Sequence, residues 1–595
     1  MSLKAKLKRN VGKYKESMIN TSIYKAYDEG IDESIVYVES RDGNDFTGNI
    51  FRIVEEISTG KYGNLKVYVY VKPEVEEKIR QLQENYNLNI YKIMTKESIA
   101  TRILERAKYI FTDSGIRPKF IKRPGQIMLN TWHGTPLKVM GVTNVPEQHR
   151  IGSIQHSFLD ADYLLYPNEF MCRVMLEGYM VDRIYPGKVL LEGYPRNSVF
   201  LDNQRKEEMK SRLNFSGKEV FVYMPTYRGT FLNRKNTAQK DRISQYLEEL
   251  DSGLNDGQVL LVKLHVFNQS QIDFSKFDHI EAFPQGYEGY DMLNMADVLI
   301  TDYSSVFFDY AASGRKIIIF NYDEEEYLSD RRVYFPISDL PFPQVQNVDD
   351  LILELNSPKG YDDAEFMDTY CRYENPNAAQ RICREIFNGE DVVKKIDVKN
   401  DNPNILVYAG SMSDEEILST LIDNLSKIDR ERANVFVSYR QWDENIIENH
   451  EHIFESMPDG VSFLPYRGPV NPTRSEKKAF DKIIGNEFKG DYPVKLDKLF
   501  EREIERYYHK IKFDVAINFD GNDISEMLMF KCMECKTILF ARNNALQPNI
   551  LKEIYSSYDY IIADSEDLKE YISNIAELDD NVMVNSMIEN LLGER

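Results

Sequence analysis

Short runs rich in Val, Ile, Leu and Tyr alternate with longer amphipathic stretches, and that alternation restarts twice along the chain. Residues 35–38, 65–71, 90–93, 109–112 and 127–129 each read as a buried strand, separated by helical segments such as PEVEEKIRQLQENY and SIATRILERA. A second set follows at 220–224, 259–264, 298–301 and 316–320, and a third at 405–409, 435–439, 515–519, 537–541 and 560–563. Near-continuous apolar strands alternating with helices specify parallel sheets covered on both faces, because each βαβ crossover lays a helix on the sheet. The expected fold class is therefore α/β, with two Rossmann-like lobes facing across a cleft and a third C-terminal unit of the same kind. Ligands in such sheets bind at the carboxyl ends of the strands, so residues there deserve the closest reading.

Boundaries follow from charge and proline. A basic segment covers residues 1–30, the first lobe 31–202, the second 203–390, a charged linker 391–403 and the third unit 404–595. With 595 residues, 42% hydrophobic and 29% charged, the chain is long and apolar enough to bury several cores. Its 96 acidic against 74 basic residues give a net charge of −22, which excludes a general nucleic-acid binder. Residues 1–15 run against that charge: Lys4, Lys6, Lys8, Arg9, Lys13 and Lys15 occur with no acid, and Leu3, Leu7 and Val11 recur every four residues. Such a segment suits either an anionic membrane surface or a solvated chain start. The start lacks the apolar core of a secretory signal and no run could span a bilayer, which predicts a cytoplasmic protein. The five cysteines are sparse and odd in number, a reducing-compartment pattern. Cys532 and Cys535 form a lone CxxC without the second pair of a four-ligand zinc site, and His450 and His452 read as a solvated helix pair.

Four strand ends carry residues suited to chemistry. His133, in Asn130-Thr131-Trp132-His133-Gly134-Thr135-Pro136, can accept a proton at neutral pH, while Gly134 permits close approach of a ligand to the backbone. The same histidine could instead cap a turn beside a packed tryptophan. Pro225 and Thr226 end a second strand. Lys263 and His265 alternate onto one side of a third strand, two potential cations for a phosphate, or one surface lysine and one core histidine. Ser304 and Ser305 begin a helix after the strand that ends at Thr301, where free N–H groups and hydroxyls suit an anion, or serve as an ordinary cap.

Together TWHGTPLK, EGYPRN, MPTYR, VKLH and DVLITDYSSVFFDYA, in this order over residues 30–390, resemble the CDP-glycerol glycerophosphotransferase family of teichoic acid polymerases. The stretch VESRDGNDFTGN resembles that family's early loop facing the cleft. The resemblance implies a GT-B-like fold and a reaction. A hydroxyl of a growing polymer or lipid-linked primer attacks CDP-glycerol, glycerol phosphate is transferred and CMP leaves. It also implies roles: His133 as general base, His265 at the leaving side, and Gly134, Thr135, Arg196, Pro225, Thr226, Lys263, Ser304, Ser305 and Asp309 as donor contacts. Lys263 stands where many members carry arginine, which keeps the charge and loses the bidentate fork. No protein-held metal is implied, Mg²⁺ accompanying the nucleotide at most. The implied partners are the donor, a lipid-linked acceptor and the inner membrane surface. CDP-ribitol is the alternative donor, because relatives using it share similar motifs. A polymer-binding protein that keeps the fold and a nucleotide-sugar glycosyltransferase are the other readings. Residues 404–595 resemble the acceptor half of a GT-B glycosyltransferase, without a second lobe to hold a donor.

Overall fold

A computed structural model describes residues 3–226, 237–263, 272–358, 360–488, 490–542, 546–578 and 581–584. In the first lobe seven strands run in parallel: β1 (Asp32–Glu39), β2 (Lys66–Tyr70), β3 (Ile90–Met94), β4 (Ala107–Thr112), β5 (Ile127–Asn130), β6 (Tyr163–Tyr166) and β7 (Lys188–Leu191). The second lobe holds β8 (Glu219–Met224), β9 (Gln258–Val262), β10 (Ile280–Ala282), β11 (Val298–Thr301), β12 (Lys316–Phe320) and β13 (Gln344–Val345). β14 (Lys394–Ile396) then returns to pair antiparallel with β7. The third unit contains β15 (Asn404–Tyr408), β16 (Asn434–Ser438), β17 (Val461–Phe463), β18 (Val515–Asn518), β19 (Lys536–Ala541), β20 (Tyr560–Ala563) and β21 (Val582–Val584).

The three sheets share one topology. Their orders are β14-β7-β6-β5-β4-β1-β2-β3, β10-β9-β8-β11-β12-β13 and β17-β16-β15-β18-β19-β20-β21. Each begins with the 3-2-1-4-5-6 order of doubly wound nucleotide-binding sheets, so each has a switch point between its first and fourth strands. Strands such as Lys316–Phe320 bury every residue after the first, and each large aliphatic side chain buried there contributes about 1.5–3 kcal/mol.

Register sets the site. Thr112 lies opposite Asn130, which places Asp113 beside the turn at 131–133. Thr301 lies opposite Met224, which places Asp302 beside Pro225 and Thr226.

The packing of the units differs from the linear division in three ways. Helix Ala378–Asn388 lies on the first lobe, where Phe387 meets the rings of Tyr62, Tyr109 and Phe111. The segment 391–403 supplies an edge strand as well as a connection. The third unit shares one continuous apolar core with the first lobe, whereas the second lobe keeps its own.

Residues Leu3–Asp28 form one helix. Its second half is docked: Ile23 and Tyr24 pack on Ile121, Asn20 donates to the carbonyl of Pro472 at 3.2 Å, and Tyr24 lies under the guanidinium of Arg502 at 4.0 Å. The side chains of Lys4, Lys6, Lys8, Arg9 and Lys13 lie outside the described residues. No helix among the described residues is long and apolar enough to cross a membrane.

Candidate active site

The strand ends of the two lobes face each other across a cleft. A cavity of about 340 Å³ there is lined by Trp132, His133, Gly134, Pro225, Thr226, Ser304 and Ser305 among others. A larger hinge-side cavity of about 740 Å³, bordered by Arg52, Glu55 and Arg205, contains none of the residues singled out from the sequence.

On the first-lobe side the turn is built by Asn130. Its Oδ1 accepts from the backbone of Trp132 at 2.8 Å, and its Nδ2 donates to Ser114 O at 2.8 Å and Ser157 Oγ at 2.9 Å. Trp132 is thereby held at φ +48°, a left-handed conformation costly for a bulky residue and of the kind that concentrates at functional sites. The indole stacks on His133, with ring centroids 4.2 Å apart. His133 Nδ1 lies 2.7 Å from the carbonyl oxygen of Asp113. A carbonyl only accepts, so Nδ1 carries the proton and Nε2 keeps its lone pair. Burial, the charge of Arg41 and then that of Arg196 hold the pKa down to about 3, against the Asp113 hydrogen bond that raises it. The imidazole is therefore neutral at physiological pH.

Asp113 also positions a loop that residue-level reading passed over. Its carboxylate accepts from Ser40 Oγ and from the backbone N–H of Arg41, each at 2.7 Å. Arg41 and Asp42 both adopt left-handed backbone angles, φ +52° and +53°. One aspartate thus fixes the histidine through its carbonyl and the Arg41 loop through its side chain. The visible signal was the SRDGND stretch, but nothing in it marked Arg41 over its neighbours.

On the second-lobe side Asp302 works as a clamp. Its carboxylate accepts from Thr226 N at 2.8 and 3.0 Å, from Thr226 Oγ1 at 2.6 Å and from Tyr303 N at 2.6 Å. The β8–β11 register brings it to this partner. Ser305 precedes the six-residue helix Val306–Ala311 with no side-chain capping bond, and Ser304 Oγ lies 3.5 Å from the N–H of Val306.

Arg196 crosses between the two sides. It donates to both oxygens of Asp309 at 2.8 Å and to the His133 carbonyl at 2.9 Å, with the rings of Tyr194 and Tyr290 against its faces. Asp309 also accepts from Tyr290 Oη at 3.1 Å. Its carboxylate is thus engaged with protein groups, where the family resemblance implied donor contact. Gly134 sits in the same crossing at φ +145°: a Cβ there would come within 3.1 Å of Arg196 Nη2 and 3.5 Å of Ser305 Oγ. Thr135 turns inward, its hydroxyl accepting from Asn168 Nδ2 at 3.1 Å. Lys263 is half-buried, its ammonium 5.0 Å from the Phe283 ring centre. Burial lowers its pKa, and Glu288 and Asp45 oppose that shift. His265 lies outside the described residues. Glu288, which no sequence signal marked, joins the lobes by accepting from Thr47 Oγ1 at 2.7 Å and Gly48 N at 3.0 Å.

Elsewhere, Cys532 bonds to the carbonyl of Leu528, and burial pushes the thiols of Cys532 and Cys535 up to about 12, so neither is a thiolate. His450 is not on an open helix face: its Nε2 lies 3.1 Å from the Val145 carbonyl of the first lobe. His452 is exposed.

Two doubly wound lobes whose strand-end loops meet across a polar cleft define a GT-B-like architecture. The chain belongs to the CDP-Glycerol:Poly(glycerophosphate) glycerophosphotransferase family, whose model matches residues 22–388. It is 28% identical over 403 residues to the teichoic acid glycerol-phosphate transferase of Staphylococcus aureus, matching 64% of this chain and all of that one. It is 26% identical over 378 residues to the teichoic acid poly(glycerol phosphate) polymerase of Bacillus spizizenii, matching 60% of this chain and 92% of that one. The structure of the wall teichoic acid polymerase TagF superposes with a TM-score of 0.53 at 22% identity, over 65% of this chain and 97% of that one. That likeness supports the two-lobe fold.

Proposed function

We propose that the protein transfers glycerol phosphate from CDP-glycerol to a hydroxyl of a teichoic-acid-like or capsular polymer, or of its lipid-linked primer, releasing CMP. The observation that carries this reading is the neutral imidazole of His133. Its Nε2 bears a lone pair, no hydrogen bond reaches it among the described residues, and it lines the same cavity as Thr226, Ser304 and Ser305. The acceptor oxygen forms a bond to the phosphorus that bears glycerol, and the bond from that phosphorus to the bridging oxygen breaks. The proton passes to His133 Nε2, and CMP departs with the electron pair. Such transfers need positioning and charge stabilisation above all. Pro225, Thr226, Ser304 and Ser305 are assigned to the nucleotide and its phosphates, and Arg41, Arg196, Lys263 and His265 supply positive charge around them. Gly134 leaves room for the pyrophosphate, Thr135 anchors the turn that carries it, and Asp309 holds Arg196 in place. Mg²⁺, where it takes part, travels with the donor.

The acceptor reading includes the membrane. The basic half of helix Leu3–Asp28 is assigned to the anionic cytoplasmic face, where each Lys or Arg contributes about 1 kcal/mol. Salt-sensitive co-sedimentation with anionic vesicles supports that placement, and equal binding to neutral vesicles removes it.

The test measures CMP release from CDP-glycerol, with CDP-ribitol in parallel, on a glycerol-phosphate-primed lipid. Acceptor-dependent release that falls at least about 100-fold in His133→Ala is expected, in line with the loss of a general base. Release from CDP-ribitol alone would change the polyol. Donor binding without release from either nucleotide would favour a polymer-binding protein.

A further inference from the structure

The third unit docks on the helix Gly152–Asp160 of the first lobe at close range. Gln155 Nε2 donates to the carbonyl of Phe463 at 2.8 Å, and a Cβ on Gly152 would lie 2.7 Å from the carbonyl of Pro465. Within this interface three metal-ligand side chains converge, away from the catalytic cleft. His156 and Asp160 stand at i and i+4 on one helical face, and His509 comes from the end of the third unit's helix Lys495–Tyr508. The candidate ligand atoms of the three all lie within 4.8 Å of one another.

We propose that His156, Asp160 and His509 bind a divalent transition metal of the Zn²⁺ type, which staples the third unit to the first lobe. His156 Nε2 and Asp160 Oδ2 face each other at 3.5 Å, both buried and both without a hydrogen-bond partner. Two orphaned ligand atoms in one buried interface are costly unless a third party joins them. Their separation matches the roughly 3.4 Å edge of a tetrahedron with metal–ligand bonds of about 2.0–2.1 Å. His509 Nδ1 lies 2.8 Å from Asp160 Oδ1, and its backbone is held at φ +58°, an uncommon conformation that aims the ring inward. A cavity of about 10 Å³ beside them, bordered by His156, His509, Arg467 and Arg506, approaches the volume of one water, the usual fourth ligand of an open three-ligand site.

The surrounding charge permits a cation. Arg506 is itself paired with Glu503. Lys122 and Lys510 gather on Asp162, not on the Asp160 carboxylate. Two imidazoles and one carboxylate favour zinc, cobalt or nickel over magnesium or calcium.

The full chain, stripped with EDTA and carrying Cys532→Ser and Cys535→Ser, is titrated with Zn²⁺ and separately with Co²⁺. One Zn²⁺ per chain, visible ligand-field bands from Co²⁺ and a rise in Tm of at least about 2 °C are expected. His156→Asn, Asp160→Asn and His509→Asn should each weaken binding at least about tenfold, while circular dichroism reports whether the variant is folded. Absence of stoichiometric metal and of Co²⁺ bands in the parent chain overturns the proposal. So does unchanged affinity in the folded variants, which would put the metal elsewhere.

Discussion

His133 keeps a lone pair on Nε2 because its neighbours have settled its tautomer before any substrate arrives. The Asp113 carbonyl takes the Nδ1 proton, the Trp132 indole fixes the ring plane, and Arg41 and Arg196 make the protonated form costly. Since its pKa is lowered, to about 3, the neutral form persists well below the ordinary histidine value of about 6.5. Nitrogen NMR of labelled histidine, with His133 assigned by its disappearance in His133→Gln, should show an Nδ1–H imidazole from pH 8 down to pH 5. A protonation midpoint near 6.5 would refute this account. TWHGTP marked the histidine as a candidate base or as the cap of a turn beside a packed tryptophan. Its tautomer was not legible there, because Asp113 lies 20 residues away and reaches it through a backbone atom.

At the scale of elements, Arg196 and Asp309 join the segment Pro195–Leu201 to the helix Val306–Ala311, and so join the two lobes beside His133. The pair is almost fully buried, 3% and 5% exposed, so removing one partner strands a charge. Asp309→Asn should destabilise the protein by about 3–5 kcal/mol in urea unfolding, whereas Arg196→Met with Asp309→Leu should recover most of that loss. CMP release should stay low in the double variant if Arg196 also meets the donor. Recovery of activity together with stability would reduce the pair to a structural tie. EGYPRN and SSVFFD announced both residues, yet their mutual pairing is a property of two segments more than 100 residues apart. The same holds for Thr226, whose hydrogen bonds to Asp302 depend on the alignment of Met224 with Thr301. Short strands were also harder to see than long ones. β6, β7, β10, β13, β14, β17 and β21 were not marked, because two to four residues between helices resemble helix flanks.

For the whole molecule, the third unit is part of the catalytic body more than an appendage, since its core is continuous with that of the first lobe. One contact there responds to acid. His149 of the first lobe lies against His450 of the third unit, ring centroids 4.6 Å apart, and burial, then His450 and Arg150, hold its pKa at about 4. The folded value lies below the unfolded one of about 6.5, so the unfolded chain takes the proton first. Stability from this contact is complete above pH 6.5 and is lost as pH falls from 6.5 towards 4. Thermal unfolding between pH 7.5 and 5 should show a Tm decline that is shallower in His149→Gln with His450→Gln. Equal slopes in variant and parent would discount the pair.

The sequence by itself determined three doubly wound units and the family to which residues 22–388 belong. Those follow from local patterning: hydrophobic period, strand length and rare contiguous motifs survive in one dimension. The tertiary structure decided which carboxylate holds which cation, the tautomer of His133, the nearness of Arg41 to it, the bridging of the lobes by Glu288, and the docking of the third unit. These depend on register and on close approach between distant segments, and buried charges acquire partners only when folding removes the water that otherwise satisfies them.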